Sequence, residues 1–128
     1  MAYWLFKTEP SDYSFDRLLE EGRTVWDGVK NALALRHLRQ VRRGDEIAIY
    51  HTGDEKAVVG IARAAADAAG DAVDIVPVRR AGPVPLSAVK ADPRFRTFPL
   101  VRMGRLSVMP VPEELWPALT GGRPRAGR

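Results

Sequence analysis

Residues 45–64 read Asp45-Glu46-Ile47-Ala48-Ile49-Tyr50-His51-Thr52-Gly53-Asp54-Glu55-Lys56-Ala57-Val58-Val59-Gly60-Ile61-Ala62-Arg63-Ala64. In an extended strand Ile47, Ile49 and His51 share one face, and Ala48 and Tyr50 share the other. Gly53-Asp54 is a turn signal, so Lys56 to Ala64 returns as the second arm of a hairpin, with Val58, Val59 and Ile61 as its apolar residues. Gly60 inside that arm predicts a bulge or a close backbone approach.

Further strands are expected on both sides of this hairpin. Tyr3 to Phe6 is a short apolar strand, Val73 to Val78 another, and Leu100 to Arg102 a last one; Leu106 to Met109 is a further apolar stretch. Ser14 is placed to cap a short helix that presents Phe15, Leu18 and Leu19 and stops at Gly22. Asn31 is placed to cap a second helix, over about 32–43, with Leu35, Leu38 and Val41 facing inward. Arg36, Arg39 and Arg43 then form one basic stripe. The alanine-rich stretch 64–72 fits either a strand extension or a helix. Pro83 and Pro85 mark a connection, and Pro112 to Leu119 a terminal helix. No internal repeat is present. Four to six short strands with a central meander predict an α+β fold: a small, twisted, closed or partly closed sheet carrying helices. One domain over 1–121 is expected, followed by a disordered basic tail at 122–128.

Bulk composition narrows the functional classes. The chain has 128 residues and no cysteine, which excludes disulfides, thiolate zinc sites and thiol catalysis. The only histidines are His37 and His51, and no carboxylates cluster at ligand spacing, so no metal is expected. There is no phosphate-loop or dinucleotide fingerprint and no nucleophile elbow, so no cofactor is expected. No leader pattern opens the chain and no apolar run approaches about 20 residues. The expectation is a cytoplasmic, soluble monomer with no membrane partner. Charge is unevenly spread. Residues 1–78 carry 10 Lys/Arg against 13 Asp/Glu, whereas residues 79–128 carry 10 against 3. A second basic stretch, Lys30 to Arg43, contains no acid. This asymmetry suggests a polyanion partner. The alternative is an arginine-rich composition, since lysine occurs only at 7, 30, 56 and 90.

Four blocks carry a resemblance. Tyr3-Trp4-Leu5-Phe6-Lys7-Thr8-Glu9-Pro10-Ser11 resembles the opening of the EVE family, in which an aromatic strand runs into a Lys-x-Glu-Pro turn. Val25-Trp26-Asp27-Gly28-Val29-Lys30-Asn31 resembles its Trp-Asp-Gly-Val-Arg-Asn segment, with Lys30 in place of the usual arginine. Ile49-Tyr50-His51-Thr52 resembles its Phe-Tyr-His-Ser strand end, with Thr52 in place of serine. Leu100-Val101-Arg102 with Arg105 to Val111 resembles its closing Arg-Leu-Ser-Val-x-Pro segment, with Met103-Gly104 before Arg105 as a departure. The blocks occur in the family's order and span nearly the whole chain. Among eukaryotic relatives the chain is most similar to the thymocyte nuclear protein family. The resemblance implies a PUA-like small mixed β-barrel of about five to six strands with flanking short helices. It implies a module that binds DNA or RNA and captures a modified base, such as a modified cytosine or adenine; the leading reading is that it does so without catalysis.

Such a module needs an aromatic wall, amide or hydroxyl groups for the base edge, and cations outside for phosphates. The base pocket is expected at Trp26, Val29, Asn31, Tyr50, His51, Thr52 and Ser107. Backbone contacts are expected from Lys7, Lys30, Arg36, Arg39, Arg102 and Arg105. Each has a plainer reading. Trp26 fits the core, Asn31 a helix cap, His51 a satisfied core histidine and Lys7 an exposed strand end. Arg102 and Arg105 fit surface ion pairs with acids of the N-terminal part. Trp4 and Trp116 are assigned to the core, and Asp45-Glu46 and Asp54-Glu55 to solvated turns. The competing function is an ASCH-type hydrolase acting on acylated nucleosides, with Lys7, Thr8 and Glu9 as its set; strand alternation places Thr8 on the opposite side from the other two. A third reading docks the basic helix on an acidic protein.

Overall fold

A computed structural model describes residues 1–121; the tail 122–128, expected to be disordered, lies outside the described residues. Six strands form one mixed sheet. They are β1 (Tyr3–Thr8), β2 (Thr24–Trp26), β3 (Glu46–His51), β4 (Ala57–Ala64), β5 (Val73–Pro85) and β6 (Val108–Pro110), in the spatial order β2-β5-β4-β3-β1-β6. β1 runs parallel to β3, with Tyr3 opposite Glu46 and Thr8 opposite His51; the other pairings are antiparallel. The long connection that parallel pairing requires holds α1 (Phe15–Glu21), β2 and α2 (Ala32–Leu38). The sheet curls into a half-barrel flanked by short helices, the expected α+β PUA-like fold.

The central hairpin forms where the alternating pattern places it. β3 is buried on both faces from Ile47 to His51, because β1 and β4 flank it and the curl closes over it. Gly60 performs both roles that a strand glycine can. The register slips beside it, with Ile49 opposite Gly60 but Tyr50 opposite Val58, and the Phe15 ring lies directly on its Cα. A Cβ at this position would collide with the tip of that ring, at Cζ and both Cε atoms. Phe15 is fully buried and cannot swing away, so Gly60→Ala is expected to destabilise the fold by about 1–3 kcal/mol through overpacking. A urea denaturation midpoint checks this; an unchanged midpoint means that Phe15 has another place to go.

The caps read from the sequence also form. The Ser14 side chain accepts from the Arg17 N–H at 3.1 Å and Gly22 ends α1 with φ of 77°. Asn31 accepts from the Ala34 N–H at 2.9 Å. The second helix, however, ends at Leu38 instead of near residue 43. The Arg42 N–H donates to Asp45 Oδ2 and the Arg43 N–H to Asp67 Oδ1, both at 2.9 Å or less. These carboxylates replace the carbonyls that another helical turn would have used. Val41 still reaches the core, from a loop. Three other expectations change. Leu100 to Arg102 belongs to a single-turn helix, α4 (Pro99–Arg102), because Pro99 has no N–H to give a ladder and suits a first helical turn. The strand from Val73 runs on to Pro85 because β4 pairs with it along nearly its whole length. The alanine-rich stretch is a turn, closed by paired hydrogen bonds between Ala69 and Ala72.

Candidate functional site

The two outer strands of the curled sheet, β2 and β6, approach the same cleft without pairing. Both are three residues long, and β6 ends in Pro110, which lacks a donor. Between them lies a cavity of about 420 Å³, within the range of small-ligand pockets. Trp26, at the end of β2, forms one side. Lys7, near the end of β1, and Ser107, which precedes β6, form the other; the Lys7 N–H donates to the Ser107 carbonyl at 2.9 Å. The turn after β1 adds Glu9, Asp12 and Tyr13, and the loop after β2 adds Asp27 to Lys30.

Trp26 is half-buried. Its ring packs on Phe6 with centroids 5.4 Å apart and takes Tyr13 edge-on at 6.0 Å. The Tyr13 hydroxyl donates to Glu21 Oε1 at 2.8 Å, which fixes that ring from α1. An anchored aromatic surface is therefore presented to the cavity. The loop 27–30 supplies edge groups: among the described residues, no hydrogen bond ties it to the rest of the chain. Its amides and carbonyls are free to meet a ligand. Gly28, at φ of 76°, supplies the left-handed turn that aims them.

The lining is mixed in charge, with Glu9, Asp12 and Asp27 beside Lys7 and Lys30. The Lys7 ammonium donates to the Gly104 carbonyl at 3.0 Å and lies over the Tyr50 ring, 5.9 Å from its centroid. Burial lowers its pKa from the ordinary lysine value, so an acceptor arriving in the cavity would relieve an imperfectly solvated cation. Glu9 receives the Thr52 hydroxyl at 3.1 Å and the Ser11 hydroxyl at 3.3 Å. A Cβ on Gly53 would lie 2.8 Å from Glu9 Oε1, so the glycine makes room for this carboxylate.

Of the expected pocket residues, Trp26, Val29 and Ser107 border the cavity, as do Lys7 and Lys30 of the expected backbone contacts. The other four pocket residues do not line it. Asn31 spends its side-chain oxygen on the α2 cap. Tyr50 lies one strand further in, beneath Lys7. His51 is a satisfied core histidine: Nε2 accepts from the Phe15 N–H at 3.1 Å, and Nδ1 meets Glu55 Oε1 at 2.7 Å. Thr52 stands behind the lining, its hydroxyl reaching Glu9 Oε1 at 3.1 Å and the Thr8 carbonyl at 3.4 Å. Arg36 and Arg39 are not brought to the cavity, because α2 leads away from Lys30 and Arg39 pairs with Asp71 at 2.6 Å. Arg102 and Arg105 are exposed and do not line the cavity, and neither forms an ion pair among the described residues. Sequence reading missed Thr24, Val25, Asp27 and Gly28, which adjoin the expected Trp26 and Val29, and it missed Asp12 and Tyr13. The only signal for the last two was an aromatic residue inside an otherwise polar turn.

Lys7, Thr8 and Glu9 all border the cavity, including Thr8, which strand alternation had placed on the other side. Thr8 closes β1, and the turn that follows breaks the alternation. Its hydroxyl donates to the Tyr13 carbonyl at 2.7 Å. Among the described residues no group of three His, Asp or Glu is placed to hold a metal, and no helix is long and apolar enough to cross a membrane.

A curled six-stranded sheet, open between its outer strands over an aromatic and polar cavity, defines the class as a PUA-like domain. The sequence matches the EVE domain family over residues 2–121, and the chain belongs to that family. It is 38% identical to Rpa0253 from Rhodopseudomonas palustris, over 94% of this chain and 92% of that one, with a TM-score of 0.86. It is 34% identical to Atu2648 from Agrobacterium tumefaciens over the same shares, with a TM-score of 0.87. Human THYN1, solved in complex with DNA containing 5-methylcytosine, shares the fold at 22% identity, over 94% of this chain and 96% of that one, with a TM-score of 0.85. No curated protein matches the chain.

Proposed function

We propose that this protein is a non-catalytic nucleic-acid-binding module that draws a modified base into the Trp26 cavity. The observation that carries the reading is an anchored, half-buried Trp26 facing a cleft bordered by unpaired backbone groups. A base needs those two things once out of its stack: a face to lie on and partners for its edge. The acids support base over phosphate as the occupant. Glu9, Asp12 and Asp27 repel a phosphate but accept from an exocyclic amine. Phosphates then belong at the rim, near Lys30, Arg102 and Arg105. The 5-methylcytosine DNA bound by human THYN1, which has the same fold, supports the same reading.

The hydrolase reading is less well supported. The Thr8 hydroxyl proton is committed to the Tyr13 carbonyl, and Glu9 is held by Thr52 and Ser11. No chain of hydrogen bonds links the three side chains as nucleophile, base and orienter.

The test is a titration with oligonucleotides of one sequence, modified or unmodified at one base. We expect at least one modified base to bind about tenfold tighter, the scale of one stacked and hydrogen-bonded base. Both affinities should fall as salt rises, because rim contacts release counterions. Equal affinities across a broad panel of modified cytosines and adenines would overturn the proposal.

A further inference from the structure

Two exposed apolar side chains frame this part of the molecule. Val25 is 52% exposed and borders the cavity from β2. Met103, 45% exposed, lies outside the lining but directly precedes Gly104, whose carbonyl receives the ammonium of the cavity residue Lys7. Met103 begins a tight turn. Its N–H donates to the Pro99 carbonyl at 2.7 Å, and its carbonyl accepts from the Leu106 N–H at 3.1 Å. α4 anchors one end of the turn and the buried Leu106 the other. Gly104, in the same turn, receives the Lys7 ammonium from the cavity wall. The turn is thus fixed to the cavity while Met103, Gly104 and Arg105 remain exposed. Arg102 and Arg105 flank the methionine, are exposed and form no ion pair among the described residues, so both guanidinium groups can meet an outside anion.

From this juxtaposition we infer that the Arg102–Arg105 turn is a wedge for double-stranded nucleic acid. Met103 enters the stack where the captured base has left, and the two arginines hold phosphates on either side. The inference rests on the base-capture reading and extends it from a pocket to a partner, a duplex. A base leaving a duplex opens a gap that exposes its neighbours' faces to water. An apolar side chain filling the gap restores contact and holds the base out. Methionine suits this, being unbranched and polarisable and able to lie against aromatic faces. A single strand has no such gap, so Met103 should count there for little.

The experiment compares one modified base, placed in a duplex and in a single strand of the same sequence, with the full chain and its Met103→Ala variant. The expected result is a loss of about tenfold in duplex affinity, with single-strand affinity held within about twofold. A 2-aminopurine beside the modified base should brighten when the unaltered protein binds the duplex, and brighten less with the variant. Arg105→Ala should lower the salt slope by about one in the duplex. Equal losses in both strand forms, or no loss in either, overturn the wedge while modified-base preference persists. Absence of that preference in both forms overturns the capture reading and the wedge together.

Discussion

Trp26→Ala is expected to remove most of the preference for a modified base, a loss of about 1–3 kcal/mol or roughly five- to hundredfold in the ratio of the two affinities. The ring offers a captured base a face already held by Phe6 and Tyr13, so little ordering is needed when the base arrives. The alanine leaves a base nothing to stack on. The phosphate contacts proposed at Lys30, Arg102 and Arg105 do not involve this ring, so the salt dependence of binding should change little. Removing a half-buried tryptophan also loosens the cleft, and Trp26→Phe separates the two effects. It keeps an aromatic face of smaller area, and should retain an intermediate preference with nearly unaltered stability. Measured affinities for one sequence, modified and unmodified, at two salt concentrations decide the matter. A lower thermal midpoint with the affinity ratio unchanged would make Trp26 a packing residue only.

The parts of the site that were legible in the sequence come from contiguous segments. Trp26, Val29 and Lys30 lie in one block, Lys7 lies beside the apolar strand read at Tyr3 to Phe6, and Ser107 lies in the closing block that resembles the family. The sheet was legible for the same reason, since each strand carries its own period. What failed was non-local. Whether Tyr50 and His51 reach a pocket depends on which strand lies beside β3, and the strand there is β1, which covers both. The second helix was overextended because two carboxylates, one of them 24 residues away, take its next amides. Leu100 to Arg102 was read as a strand, because the single helical turn begun by Pro99 leaves no periodic signal. Asp45 is the largest miss. It was assigned to a solvated turn, and its partners lie as far as 43 residues away.

Asp45→Ala is therefore expected to cost about 3 kcal/mol or more, a large share of the stability of a small domain. The side chain is only 4% exposed. Oδ1 accepts from the Ala2 N–H, and Oδ2 from both the Arg42 N–H and Trp4 Nε1, each at 2.9 Å. Alanine would strand three donors in a site water barely reaches. Asparagine keeps the shape but has only one acceptor oxygen. Turned toward Trp4 and Arg42, it sets its own amide against the Ala2 N–H, so part of the loss should remain. Acid gives an independent reading. Burial pushes the Asp45 carboxyl up, but the hydrogen bonds from Ala2, Arg42 and Trp4 outweigh it, and the net pKa lies below the ordinary value. A depressed folded pKa means that the unfolded chain takes up the proton first. The carboxylate's contribution is thus complete above about pH 4, the ordinary carboxyl range, and fades as pH falls through the folded value. Urea midpoints at pH 7 and pH 3 should therefore differ less for Asp45→Asn than for the unaltered chain. The effect should also reach the site. Asp45 ties the start of β1 to the start of β3 and so holds the parallel register that delivers Lys7 to the cavity. A variant that melts lower and binds the modified strand less well, while Trp4→Phe loses stability by a smaller step, fits this account. Equal stability at both pH values in the unaltered chain would leave Asp45 without its assigned role.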